Sequence, residues 1–165
     1  MNPVTVNRGF TLIELMIVLV IAGVLLLVAT PNFDSVIVGS KIDKARYSMA
    51  SSLAYARTEA VQRADTVFLC RGSSGACGTN DSLGDITWST GWHVRDSTGI
   101  LRTVDSDNDG VDVIYACGDF ISFNADGEKT STTTLECGFT FSKSGPDTSF
   151  DKSLLINAVG RVRME

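Results

Sequence analysis

Residues 8–30 read RGFTLIELMIVLVIAGVLLLVAT, and their composition decides what kind of chain this is. Arg8 and Gly9 precede a 20-residue run from Phe10 to Ala29 whose only charged side chain is Glu14. As a helix that run is about 30 Å long, the thickness of a bilayer's hydrocarbon core. A carboxylate placed there unpaired costs roughly 2.5 kcal/mol or more. A simple membrane anchor explains the length of the run but leaves Glu14 without a reason, so a partner for that charge is expected.

The order Gly9-Phe10-Thr11-Leu12-Ile13-Glu14, followed by an unbroken apolar stretch, resembles the class III signal of type IV pilins and type II secretion pseudopilins. The resemblance implies cleavage by a prepilin peptidase between Gly9 and Phe10, and N-methylation of Phe10. Glu14 then becomes the fifth residue of the mature chain. It also implies that the Glu14 carboxylate pairs with the N-terminal ammonium of a neighbouring subunit, turning a buried charge into an assembly contact. A secretory signal peptide fits less well, because its apolar core is shorter and its cleavage site follows that core.

Outward from this segment the pattern becomes amphipathic. Ile42, Ala45, Met49, Leu53, Ala56 and Ala60 recur every three or four residues, while Lys41, Lys44, Arg46, Arg57 and Arg63 fall mostly off that stripe. One helix from Phe10 to about Arg63 is expected, about 80 Å long, with Thr30-Pro31 as the place for a kink. From residue 64 the period changes. Thr66 to Cys70, Gly91 to Val94, Val111 to Tyr115, Phe120 to Phe123, Cys137 to Phe141 and Ser153 to Ile156 read as short strands between Gly, Asp, Asn and Ser turns. The expected fold class is α+β, a long N-terminal helix packed on an antiparallel β-sheet head. Its segments are a leader at 1–9, a membrane and filament-core half at 10–30, an amphipathic half at 31–63 and the head at 64–165.

Three longer stretches narrow the resemblance to the GspH/FimT-type minor pilin branch. They are Ser52 to Arg63, at the helix end, and Ile121-Ser122-Phe123-Asn124-Ala125-Asp126-Gly127 with the closing Ile156 to Arg163. Trp88 and Gly91-Trp92 add to the likeness, which spans essentially the whole chain. It implies a minor type IV pilin that takes part in priming the pilus tip, or a minor pseudopilin of a type II secretion system. The implied partners are other major and minor pilins or pseudopilins, the prepilin peptidase and the inner membrane. The implied location is a single-pass inner-membrane protein with a periplasmic head, later part of a filament.

Four cysteines, Cys70, Cys77, Cys117 and Cys137, all lie beyond the apolar segment. In an exported head an even number favours disulfides. Three pairings are open; the sequential one, Cys70 with Cys77 and Cys117 with Cys137, closes the shortest loops. A zinc site prefers CxxC spacings or nearby histidines, and the sequence shows neither. Asp105, Asp107 and Asp109 begin like a calcium loop, but Ala116 stands where a bidentate Glu is needed, and turn chemistry accounts for the segment.

The net charge of −5 argues against a globally basic nucleic-acid binder. A local patch is the alternative. Gly160-Arg161-Val162-Arg163 matches a GRxR motif that the FimT-like branch associates with DNA capture; Arg161 and Arg163 would share a strand face, and Lys143 and Lys152 are the other cations that could add to the patch. Without aromatic neighbours such binding would be non-specific and salt-sensitive. His93 reads as a strand side chain. No catalytic motif is present, and no cofactor or small-molecule substrate is expected.

Overall fold

The computed structural model describes residues 9–29, 33–72, 75, 77, 87–105, 110–130, 136–146 and 148–165. The chain forms two compact units, Met1–Ile37 and Val38–Glu165. Helix is present over α1, Leu12–Ala29, and α2, Phe33–Arg63. The Thr30-Pro31 segment expected to kink lies outside the described residues.

In the second unit, the apolar stripe of α2 is the spine of the core. Ile42, Met49, Leu53, Ala56 and Ala60 have no exposed surface, and Ala45 almost none. Asp34 in the first turn and Arg63 in the last complement the helix dipole. The helix stops in a Schellman arrangement, with the Asp65 amide donating to Ala60 O and the Ala64 amide to Val61 O. Ala64 takes the left-handed conformation there, at φ 52°, a position where glycine is the usual choice.

Against this helix the strands form two four-stranded antiparallel sheets. Sheet A has the order β3 (Ile100–Asp105), β2 (Gly91–Arg95), β1 (Val67–Arg71), β5 (Phe120–Phe123). Sheet B has the order β4 (Val111–Tyr115), β6 (Cys137–Lys143), β7 (Lys152–Ile156), β8 (Val162–Met164). The chain thus crosses from sheet B to sheet A to lay down β5, then returns. Apolar side chains from α2 and both sheets merge into one core that includes Trp92, Ile121, Phe123, Phe139, Phe141 and Leu154. Trp88, in a 3-10 turn before β2, meets Phe139 edge-on at 5.0 Å, and Tyr115 stacks on Phe139 at 4.6 Å.

Polar contacts fix α2 to both sheets. Buried Ser52 accepts from the Trp92 indole at 2.8 Å and donates to Ser48 O at 2.9 Å, so a small polar residue completes the apolar stripe. Toward sheet B, Lys152 Nζ donates to Asp43 at 2.7 Å, and Arg46 reaches Glu165 O at 2.8 Å. At the other end of α2, Arg63 contacts Asp96 at 3.1 Å.

Asp96 closes the β2–β3 turn as well. Its Oδ1 accepts from the Thr98 amide and hydroxyl at 2.7 and 2.6 Å and from the Gly99 amide at 2.9 Å. The Thr98 hydroxyl above all, then the Gly99 and Thr98 amides and Arg63, hold its carboxyl below the usual range against the opposing effect of burial. A folded-state pKa below the unfolded one gives stability that is present above the unfolded value of about 3.9 and lost as pH falls through the lower folded value. Asp96→Ala should therefore lower Tm at neutral pH by roughly several degrees, and the gap to wild type should narrow in acid. A gap in thermal melts that stays constant down to roughly pH 2 would show that the charge of Asp96 is irrelevant.

Two turns that carried the family likeness meet near the end of α2. Gly127 (φ 76°) lies against Val61 and Arg57, and Gly160 (φ 75°) against Gly127 O and the Phe123 ring. A Cβ on Gly160 would sit 2.9 Å from both of those neighbours. The Lys129 amide donates to Ala158 O at 3.1 Å, joining the two turns directly.

Candidate functional site

The N-terminal segment presents the largest apolar surface of the described chain. Phe10 is 83% exposed, and Leu12 to Ile21 and Val24 to Leu26 keep half or more of their surface open wherever they are large and apolar. A helix apolar on every face is built for a membrane or for the middle of a larger assembly. Among the described residues no helix is long and apolar enough to cross a membrane. As described, α1 has 18 residues, about 27 Å, against about 30 Å for the full run from Phe10 to Ala29.

Glu14 sits in the first turn of this helix. The Thr11 hydroxyl accepts from the Glu14 amide at 3.3 Å, and the Leu15 amide donates to Thr11 O at 3.2 Å. Thr11-Leu12-Ile13-Glu14 therefore has the spacing and half the bonding of a capping box, with Glu14 at N3. Sequence reasoning weighed the membrane cost of this carboxylate and its pairing with a neighbour's ammonium, and missed the T-x-x-E signal. Among the described residues Glu14 joins no ion pair. Its side chain is free for a partner while its backbone secures the helix start. Gly9 has nothing within 4 Å of where a Cβ would stand, so its own fold does not require glycine.

The basic residues considered for DNA fall in two places, Arg161 and Arg163 around β8 and Lys143 with Lys152 at the opposite end of the sheet. Arg163 lies within β8, 2.6 Å from Glu165 and 3.9 Å from Glu136. Arg161 precedes β8 and closes the Asn157 turn, its amide donating to Asn157 Oδ1 at 2.8 Å. With Val162 opposite Ile156, Arg161 is about 17 Å along the sheet from Lys152, which Asp43 already holds. Lys143 ends β6 at the Lys152 end of the sheet. The glycine of GRxR has a conformational reason of its own, the close approach to Phe123 described above. Of the calcium candidates, Asp105 ends β3 and is exposed, while Asp107 and Asp109 lie outside the described residues.

The cysteines form two bonds, Cys70 with Cys77 and Cys117 with Cys137, at Cα separations of 5.2 and 5.9 Å. One reading of the sequence needs correction. His93 is not remote from the cysteines; it is the cross-strand partner of Cys70 in the β1–β2 pairing. Only strand register could reveal that neighbour.

With this geometry in place, similarity to known proteins agrees with it. Residues 47–160 match the family of the type II transport protein GspH, and residues 5–30 match the prokaryotic N-terminal methylation motif. The first match covers well over half of the chain, which belongs to the GspH family. Its fold is similar to that of the type IV minor pilin FimU from Pseudomonas aeruginosa PAO1 in two crystal forms. One has a TM-score of 0.60 and 21% identity over 76% of this chain and 89% of that one. The other has 0.57 and 22% over 74% and 91%. No curated protein matches the chain by sequence.

Proposed function

We propose that the chain is a minor type IV pilin, cut between Gly9 and Phe10 and methylated on Phe10, that takes part in starting the pilus. One observation carries this reading: a helix apolar on all sides, its described side chains exposed, with a single carboxylate in its first turn that joins no ion pair among the described residues. The run from Phe10 to Ala29 first anchors the subunit in the inner membrane and then packs among other subunits' helices. Exchange of bilayer for neighbouring helices keeps the apolar surface out of water throughout. Glu14 meets the ammonium of an adjacent subunit and sets the register. The disulfide-bonded head offers a surface to other pilins and performs no chemistry.

The family description favours a second reading, a minor pseudopilin of a type II secretion system. Electron-microscopic counting of surface pili in a deletion strain, with and without the restored gene, separates the two. Loss of pili that the gene restores is the expected result. Normal pili together with loss of secreted enzymes would assign the chain to secretion instead.

A further inference from the structure

His93 is the chain's single histidine and is completely buried. Register fixes its place. Cys70 of β1 stands directly opposite His93 of β2, so both side chains leave the same face of sheet A. Cys77, seven residues after Cys70, is brought to the same spot by its bond to that cysteine. The two sulfurs and a ring nitrogen of His93 lie within 4.8 Å of one another.

The ring's orientation adds a second observation. His93 Nδ1 is 2.6 Å from Gly72 O. A carbonyl oxygen only accepts, so Nδ1 carries the proton and the lone pair of the neutral ring is on Nε2. That Nε2 is buried and has no hydrogen-bond partner among the described residues. Metal-bound histidines are held in this same way, with the second nitrogen donating to a backbone carbonyl.

We propose that, once the Cys70–Cys77 bond is reduced, Cys70 Sγ, Cys77 Sγ and His93 Nε2 form a three-ligand site for a thiophilic divalent cation of the Zn²⁺ type. Two thiolates and one imidazole leave the fourth tetrahedral position to water. Zinc–sulfur bonds of about 2.3 Å set the two sulfurs about 3.8 Å apart. Rotation of Cys77, half-buried in its turn, supplies the movement while Cys70 and His93 stay fixed by the strand pairing. A dithiol reductant supplies two electrons and two protons. Its own thiols become a disulfide, the bond between Cys70 and Cys77 breaks, and each sulfur takes one proton. Binding of the cation forms two S–metal bonds and releases those protons to solvent, with no change in the metal's oxidation state. Disulfide and metal therefore exclude each other, and the site is open only in the head's reduced form. Cys117 and Cys137 have no histidine beside them and are not part of it.

The test uses the full chain in detergent micelles, reduced with dithiothreitol, desalted without oxygen and titrated with Co²⁺ and then Zn²⁺. One equivalent of Co²⁺ should give tetrahedral d–d bands and thiolate charge-transfer absorption that Zn²⁺ abolishes, and the oxidised protein should give neither. Zn²⁺ should protect Cys70 and Cys77, but not Cys117 and Cys137, from alkylation as read by peptide mass. His93→Ala should weaken binding by at least about tenfold with the same thiols reduced. The proposal is overturned by a reduced wild type, its Cys70 and Cys77 shown to alkylate, that gives no tetrahedral spectrum. Unchanged affinity in His93→Ala does the same, as does loss of the β-sheet circular dichroism on reduction, because the site depends on intact β1–β2 pairing.

Discussion

Glu14→Gln should yield a subunit that is helical, membrane-associated and processed, yet absent from filaments sheared off the cell. The substitution separates the two roles of this side chain. Glutamine serves at N3 of a capping box as glutamate does, so the Thr11 cap and the start of α1 are kept. What disappears is the negative charge. In an assembled filament of the kind the family builds, the neighbour's ammonium would then be buried without a counter-ion. Breaking a buried pair in this way costs about 3–5 kcal/mol, or roughly 100- to 3,000-fold in association. Immunoblots of sheared filaments against whole cells read the outcome. Equal amounts of wild-type and Gln subunits in the filament fraction would reduce Glu14 to a capping residue. Glu14→Ala removes both roles and cannot make this distinction, so it serves only as the comparison.

Gly9→Val should leave the leader attached to essentially every molecule. The argument rests on what Gly9 does not do within its own chain. It has open space around the position of a Cβ and no left-handed backbone that would demand glycine. A branched side chain at this position leaves the fold undisturbed, so a failure of cleavage reports on the peptidase that must accept it. Intact-protein mass decides. The wild type should lose residues 1–9 and gain one methyl group on Phe10, and the variant should do neither. A variant cut at the same bond would move the processing site elsewhere.

The parts of this structure that local periodicity determines were readable before the fold was known. The stripe from Ile42 to Ala60 is buried as its spacing requires, and the β-branched and aromatic runs became strands. Ile100–Asp105 was missed because neither of its faces is fully buried; as the outer strand of sheet A it alternates only between wet and half-wet. The division of the strands into two sheets depends on long-range pairing, which no local pattern encodes. The same holds for the candidate sites. Glu14 and Gly9 stand out in the sequence because a charge and a glycine interrupt a uniform context. The neighbourhood of His93 and Cys70 is set by the β1–β2 register, and the spread of Arg161 and Lys152 by that of β7 and β8. The T-x-x-E signal at Thr11 was local and legible, but the cost of burying Glu14 drew the reading elsewhere.

The crossing of the chain between sheets has a kinetic consequence. Strands β4 and β6 are neighbours in sheet B, but the chain between them departs to build β5 of sheet A before coming back. Such a pairing is slow to find, because the intervening loop must lose its freedom before the strands gain anything from meeting. Tyr115 faces Phe139 at the end of this pairing, and the Cys117–Cys137 bond lies just beyond it, enclosing the whole excursion. Once that bond has formed, the two strands are tethered at their junction and their search is that of a hairpin. The head would then complete sheet B at the pace at which this one bond forms.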